Sequence, residues 1–334
     1  MRIDSSAPTR IDLAGGTYDI WPLYLLHDEA QTINIALSLR AACTLSTRRD
    51  YRVSLTSDDT GESVDAASPD ELGLDRIPLV ARLVRHFGAR GVDIRTRSES
   101  PVGAGIAGSS AMTVAVAGAL AAWTGRTLDA DQLLTIAMNI EAQVLGVPTG
   151  VQDYRPAYYG GVSAVELSAS GVRRVALSVS AVELGRRLVL AYTGASRNSG
   201  INNWDIMVRR INGDGAVVEA FDGICDAATG VRRALERADW RAVATHVGRE
   251  WDHRKRLAPG VTTPAIEAVL GRAWEAGALA GKVCGAGGGG CVVCLVEPDR
   301  RTAVADAITA AGATVLPVAV DTRGLAIDRQ PDQP

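Results

Sequence analysis

The sequence predicts an α+β fold in two domains, residues 1–175 and 186–334. Three observations lead there. Strand-like alternation fills residues 1–60, helical spacing dominates 203–257, and elsewhere strands and helices mix without the strict strand–helix–strand rhythm of a doubly wound sheet. A chain of 334 residues, 47% of them hydrophobic, also has the material for more than one core.

The elements come in order along the chain. TINIALSLRAACTLSTR (32–48) and YRVSLTS (51–57) alternate apolar and polar residues as half-buried strands do. RIPLVARLVRHFG (76–88) has helical spacing and stops on Gly88. VDIRTRSESP (92–101) alternates again and leads into the glycine-rich PVGAGIAGSSA. The helix after it, about 110–123, is small and apolar all round, so it is expected to be buried. A second helix, 130–145, is introduced by Thr127 and Asp129 and closed by Gly146 and Pro148. GGVSAVEL (160–167) and RRLVLAYTG (186–194) read as strands, with 176–185 as the crossover between halves. A helix over 263–277, a second glycine-rich stretch, the strand GCVVCLVE, the helix RRTAVADAITAAG and the strand TVLPVAV close the chain.

Composition excludes several classes. Lys and Arg number 35 against 38 Asp and Glu, so the basic excess of a nucleic-acid binder is missing. No segment reaches the ~18 uninterrupted apolar residues of a membrane span, and the opening MRIDSSAPTRID has no apolar core of a leader. A soluble, cytoplasmic protein with neither nucleic acid nor membrane as partner is expected; the oligomeric state stays open, a homodimer included. The five cysteines (Cys43, Cys225, Cys284, Cys291 and Cys294) are odd in number and scattered, which is no disulfide framework. Cys291 and Cys294 stand three apart in an apolar strand, on opposite faces, and no second Cys or His pair is near; buried thiols are expected rather than zinc. His27, His86, His246 and His253 lie outside every motif.

The glycine loop carries the chemistry. Gly103, Gly105 and Gly108 let backbone N–H groups approach a ligand, and the start of the next helix adds unpaired donors and partial positive charge. A phosphate cradle and a plain tight turn both remain open on these residues alone. The lysine of G-x-x-x-x-G-K-[ST] is absent, and where a dinucleotide fingerprint needs an acidic residue at a strand end the chain reads AAWTGRTLD and passes into the next helix. Ser109 and Ser110 supply hydroxyls that can cap the helix or ligate Mg2+ beside a phosphate.

At this point the chain resembles a family. PVGAGIAGSSA is similar to the central P-x-x-x-G-L-G-S-S-A motif of the GHMP small-molecule kinases, with Ile106-Ala107 in place of Leu-Gly. APTRIDLAGGTYDI (7–20) resembles their N-terminal motif, A-P-G-R-I-N-L-x-G-E-H-T-D-Y in galactokinases, and KVCGAGGGGCVV (282–293) their C-terminal glycine motif. AGGTYDI, TGVQDYRPAYYGG (149–161) and YTGASRNSG (192–200) resemble the branch of heptose-7-phosphate kinases and fucokinases, although Tyr18 is displaced relative to that branch's Gly-Thr-Asp.

The resemblance implies a ribosomal-S5-like first lobe, a ferredoxin-like second lobe, and ATP and Mg2+ as cofactors. It implies a nucleotide site at Pro101, Gly103, Gly105, Ala107, Gly108, Ser109 and Ser110, and a metal site at Ser110 and Glu141. Asp153 takes the place of the family's catalytic aspartate, as base or orienter, and Arg10 of the basic residue that keeps it ionised. Thr17, Asp19, Tyr159, Arg197, Gly285 and Gly287 are the expected substrate contacts. The bland alternatives are a solvated helix glutamate for Glu141, an Asx turn for Asp153 and a helix cap for Asp19. The expected activity is phosphorylation of a sugar or sugar phosphate, heptose 7-phosphate first and on the anomeric hydroxyl. Another sugar, a uronic acid or a cyclitol, an ATP-dependent decarboxylase, or a non-catalytic binding protein are the alternatives.

Overall fold

A computed structural model of the chain describes residues 1–196 and 199–331. β1 (Arg2–Ala14) runs antiparallel to β2 (Gln31–Thr47), and the chain continues through β3 (Val53–Ser57), β4 (Ser63–Ala66), α1 (Pro78–Phe87) and β5 (Val92–Ser98). Then come α2 (Gly108–Thr124), α3 (Ala130–Leu145), α4 (Tyr154–Tyr159), β6 (Val162–Ser168) and β7 (Gly171–Ala176). β2 is long enough to serve two partners: its first residues pair with β6 and its last with β5. Among the described residues the sheet has eight strands, in the order β12-β1-β2-β5-β3-β4, where β12 is Ala326–Gln330 from the end of the chain; β6 branches from β2 and β7 pairs with β6. α2 lies across β1 and β2 and under α1 and α3. Covered on every side, it is apolar all round, and its buried run extends from Ser110 to Ala121. α3 begins with a capping box, in which Asp129 accepts from the Gln132 N–H (2.8 Å) and Gln132 accepts from the Asp129 N–H (3.0 Å).

The second half holds α5 (Ala181–Arg186), β8 (Leu188–Tyr192), α6 (Ser199–Ile211), α7 (Gly215–Glu236), α8 (Trp240–Arg254) and α9 (Pro264–Glu275). It continues with β9 (Ala278–Val283), β10 (Cys291–Val296), α10 (Arg301–Ala310), β11 (Thr314–Leu316) and β12 (Ala326–Gln330). The strands form an antiparallel sheet in the order β11-β8-β10-β9. Both faces of this sheet are covered, which is why β10 is apolar throughout. Cys291, Val293 and Leu295 point into a core with α7 and α8, whereas Val292, Cys294 and Val296 point into one with α9 and α10. The two cysteines therefore sit on opposite faces, as their spacing predicts. Ile11 and Leu13 of β1 and Ile33 and Ile35 of β2 join the first of these cores, so one apolar mass spans both halves. His253 and His246 of α8 pack where Gly223 and Gly230 of α7 leave room for their rings.

The chain's end departs from the expected division. The strand read over TVLPVAV spans only Thr314–Leu316. Residues beyond it return to the first sheet: Ser38 N–H donates to Ala319 O (2.9 Å), and β12 pairs with β1 from Ser6↔Ala326 to Arg2↔Gln330. The tail of the expected domain 186–334 thus completes the edge of the first sheet, because β1 would otherwise carry an unpaired edge. Among the described residues no helix is long and apolar enough to cross a membrane.

Candidate active site

The loop between β5 and α2 turns on Gly103 (φ +70°) and Gly105 (φ +75°). Ala107, the residue before α2, is also left-handed, with φ +57° and ψ +38°. The first helical bond runs from Ala111 N–H to Ala107 O (2.9 Å), so the N–H groups of Gly108, Ser109 and Ser110 have no acceptor within the helix. The loop residues named from the sequence, Pro101 to Ser110, line a cleft of about 730 Å³. Ile77, Leu79 and Met112 give the cleft an apolar wall, and Glu141, Gly150, Asp153 and Asn203 also line it.

Glu141 rises from α3 and is buried. Ser109 Oγ donates to its Oε1, while Oε2 is buried without a hydrogen-bond partner among the described residues. Burial pushes its carboxyl up, and the hydroxyls of Ser109, Tyr154 and Ser110 pull it back. A carboxylate oxygen without a hydrogen-bond partner, on a side chain that lines the cleft beside the Ser109 and Ser110 hydroxyls, fits a small divalent cation that takes its remaining ligands from phosphate and water. No group of three or more His, Cys, Asp or Glu gathers among the described residues, so such a cation would have few protein ligands.

Asp153 stands just before α4, and its side chain is 23% exposed. Arg10 reaches it from β1: Nε lies 3.0 Å from Asp153 Oδ1, Nη2 bonds the same oxygen, and Nη1 donates to Gly105 O (3.3 Å). The Arg10 backbone is fixed as well, its N–H donating to Ile106 O (3.0 Å). Burial works against the guanidinium charge, but Asp153 and Asp12 outweigh it and hold Arg10 charged. One arginine thus ties the Asp153 loop to the glycine loop.

Behind Asp153 the loop is anchored by Asp19. Its Oδ2 accepts from Gln152 N–H (3.0 Å) and its Oδ1 from Gln152 Nε2 (3.1 Å). A Cβ on Gly150 would lie 2.0 Å from Asp19 Oδ2, so only glycine admits this approach. Burial, then the Asp153 charge, push the Asp19 carboxyl up to about 7.

The chain matches the description of the GHMP kinases N terminal domain over residues 77–161 and of the GHMP kinases C terminal domain over 231–314. It is 30% identical over 314 residues to a D-glycero-alpha-D-manno-heptose 7-phosphate kinase of Campylobacter jejuni, covering 90% of this chain and 91% of that one. This chain belongs to the GHMP kinase family. A mevalonate kinase of Thermococcus onnurineus is 29% identical over 245 residues, covering 71% of this chain and 69% of that one. The crystal structure of a D-glycero-D-manno-heptose 1-phosphate kinase from Bacteroides thetaiotaomicron superposes with a TM-score of 0.81 at 26% identity, covering 99% of this chain and 100% of that one. The protein is therefore an ATP-dependent sugar kinase of the GHMP family.

Within that family frame, the structure brings Arg10, Asp153, Glu141 and the glycine loop together and gives the other named residues the following surroundings. Ser109 Oγ bonds Glu141, and the buried Ser110 hydroxyl stands beside the same carboxyl. Asp19 is a buried anchor whose two oxygens each accept a hydrogen bond from Gln152, and it caps no helix. Thr17 is buried, and its hydroxyl accepts from Arg254 Nη1 (3.3 Å). Tyr18 points away from the cleft into a core, edge-on to Phe221 at 4.9 Å, so its displacement in the motif leaves the cleft untouched. Tyr159 is 37% exposed and lies under the Arg174 guanidinium, 4.7 Å from ring to charge. It stands six residues beyond Asp153 along a helix, which at roughly 100° per residue turns it to another face. Gly285 is held by Asp12 and Arg254, and Gly287 packs against the Val261 backbone; neither lines the cleft. Arg197 lies outside the described residues. Gln152 and the buried charges Asp12, Glu250, Arg254 and Lys282 escape sequence reading. The first sits inside a motif whose aspartate draws the eye, and the others are scattered over 270 residues.

Proposed function

We propose that the chain transfers the γ-phosphoryl group of ATP, with Mg2+, to the anomeric hydroxyl of a phosphorylated sugar, and that D-glycero-D-manno-heptose 7-phosphate is the acceptor. The observation that carries the mechanism is the Arg10–Asp153 pair at the cleft, bonded on one side to the glycine loop and anchored on the other by Asp19. The likeness to heptose-phosphate kinases along nearly the whole chain supports the acceptor.

In this reading the N–H groups of Gly108 to Ser110 bind the phosphates of ATP, and the apolar wall of Ile77, Leu79 and Met112 receives the base. Glu141, Ser109 and Ser110 would hold the Mg2+, which neutralises charge on the transferring group when bound. Asp153 orients the acceptor hydroxyl and takes its proton. Arg10 holds the Asp153 carboxylate in place and balances charge that develops on the phosphoryl oxygens. Such a reaction is mostly positioning, which suits a site fixed at both ends. A kinase for a soluble sugar phosphate works in the cytoplasm and needs neither membrane nor nucleic acid.

The test is ADP release from Mg-ATP over a panel of heptose 7-phosphate, free hexoses, uronic acids and inositols, with the product read by phosphorus NMR. Heptose 7-phosphate is expected to exceed every other acceptor in kcat/KM and to give a phosphate at C1. Preference for an unphosphorylated acceptor, or release of carbon dioxide from an acidic one, overturns the assignment.

A further inference from the structure

Four charged side chains meet where the two sheets face each other, and none of them lines the cleft. Asp12 comes from β1, Glu250 and Arg254 from one face of α8, and Lys282 from β9; each is 1% exposed or less. Lys282 Nζ lies 2.8 Å from Asp12 Oδ2 and 2.9 Å from Glu250 Oε2. Arg254 Nε donates to Glu250 Oε1 (2.8 Å), and its Nη2 lies 3.3 Å from Asp12 Oδ2. Burial alone would push the Asp12 carboxyl up, but Lys282, Arg254 and Arg10 outweigh it and hold Asp12 ionised. Two anions and two cations balance, the condition under which buried charge is tolerated.

Apolar residues of similar volume would hold two halves together as well or better. What the quartet adds is direction. Glu250 and Asp12 orient the Arg254 guanidinium so that its Nη1 donates to Gly285 O (2.9 Å) and to Thr17 Oγ1 (3.3 Å). Its Nη2 occupies the space a side chain on Gly16 would need, 2.5 Å from such a Cβ. The turn it presses on is strained. Gly15 has φ +85° and Thr17 φ +72°, a conformation that a β-branched residue holds only when its surroundings impose it. This turn joins Arg10 to Asp19, the two residues that grip Asp153 and Gln152.

We propose that Arg254 is a positioning residue of the phosphoryl-transfer site: from the far half of the chain it locks the Gly15–Gly16–Thr17 turn, and through that turn it fixes the Arg10 and Asp19 grip on the Asp153 loop. The lock rests on geometry alone; its consequence for turnover rests on the kinase reading.

The experiment compares wild type with Arg254→Lys, with the charge-balanced pair Glu250→Gln plus Arg254→Met, and with both sets in a Thr17→Gly background. Glycine holds positive φ without strain, so the lock has little left to do there. Hydrogen exchange is read over 14–20 and 149–153, beside ATP affinity by calorimetry and kcat on the preferred acceptor. Exchange in those two segments is expected to rise at least ~10-fold while α9 stays as in wild type, and kcat to fall ~10-fold or more with ATP affinity within ~3-fold. In the Thr17→Gly background the further loss of kcat shrinks below ~3-fold, the non-additivity of residues acting through one another. Unchanged exchange over 14–20, exchange that rises equally everywhere, or the same kcat loss with and without Thr17 each overturn the proposal. If wild type transfers phosphate to no sugar, the kinase reading falls, and the exchange pattern still decides the lock.

Discussion

The two glycine-rich segments of this chain look alike as sequence and face different neighbours. In the first, Gly103 to Gly108, the glycines open on the cleft, and the atoms that an added Cβ would meet at Gly103 and Gly108 belong mainly to the side chains of Ser196 and Ser100. In the second, added Cβ atoms would meet backbone: Val261 O at 2.4 Å from Gly287, Ala195 O at 2.9 Å from Gly289, Ala104 O at 2.6 Å from Gly290. The second segment also props the first, since Cys291 N–H donates to Ala104 O (2.7 Å). A glycine run therefore marks close approach without saying to what. The next element along the chain decides: a helix start offers unpaired N–H groups to a ligand, whereas a buried strand offers only packing.

If that contrast holds, damage on the cleft side removes turnover and spares stability. Asp153→Ala is the largest such change, with an expected loss of about 10³-fold or more in kcat. ATP affinity by calorimetry should stay within about threefold, because the glycine loop is intact. A near-normal kcat would remove Asp153 from the mechanism. Damage to the second segment should do the reverse. Gly287→Ala places a side chain at φ +93° against a carbonyl that cannot move aside. It should lower stability by about 2–4 kcal/mol, read from urea unfolding. The protein that remains folded should still bind ATP. A Gly287→Ala protein of normal stability that fails to bind ATP would put both segments in the nucleotide site and end the contrast.

Much of this was legible. The glycine loop, the buried helix α2 and the capped helix α3 rest on local pattern, and local pattern survives folding; Arg10, Glu141 and Asp153 were named only by the resemblance of their motifs to the GHMP kinases. What was hidden depends on long-range pairing. ALAGKV carries little strand propensity, and becomes β9 because β10 pairs with it. AIDRQ is mostly charged or polar, and becomes β12 because the edge of β1 is open to it. YRPAYY forms helix α4 despite its proline, which sits in the first turn where its missing N–H is harmless. The charge quartet is hidden for the same reason: Asp12, Glu250, Arg254 and Lys282 read as ordinary charged residues until the two halves meet.

A smaller effect sharpens the cleft side of the comparison through pH. The Asp19 carboxyl, pushed up to about 7 in the folded protein, titrates near 4 in the unfolded chain. Between those values the folded state binds the extra proton, so stability falls as pH rises from about 4 to about 7 and is flat in this respect above. Asp19→Asn cannot titrate. Urea midpoints at pH 5 and pH 7.5 should therefore converge in the variant relative to wild type; Glu141, also raised, acts with the same sign in both proteins and cancels. Equal slopes would mean that Asp19 holds its charge at an ordinary carboxylate value, which its burial against Gln152 and Asp153 argues against.

The smallest effect separates strain from contact within the first segment itself. Ala107 sits left-handed at φ +57° in a place where the family motif has glycine, so this chain carries a steric penalty at the mouth of its own cradle. Ala107→Gly relieves the penalty but gives the unfolded chain more freedom, and the two terms oppose each other. With the native conformation in the region where alanine is disfavoured, relief should win by about 0.5–1 kcal/mol, a small upward shift in the urea midpoint with ATP affinity unchanged. A loss of ATP affinity instead would show that the methyl group holds the loop in shape. The strain would then belong to the nucleotide site as a device of its construction, in the same sense as the strained Thr17 turn on the opposite side of Arg10.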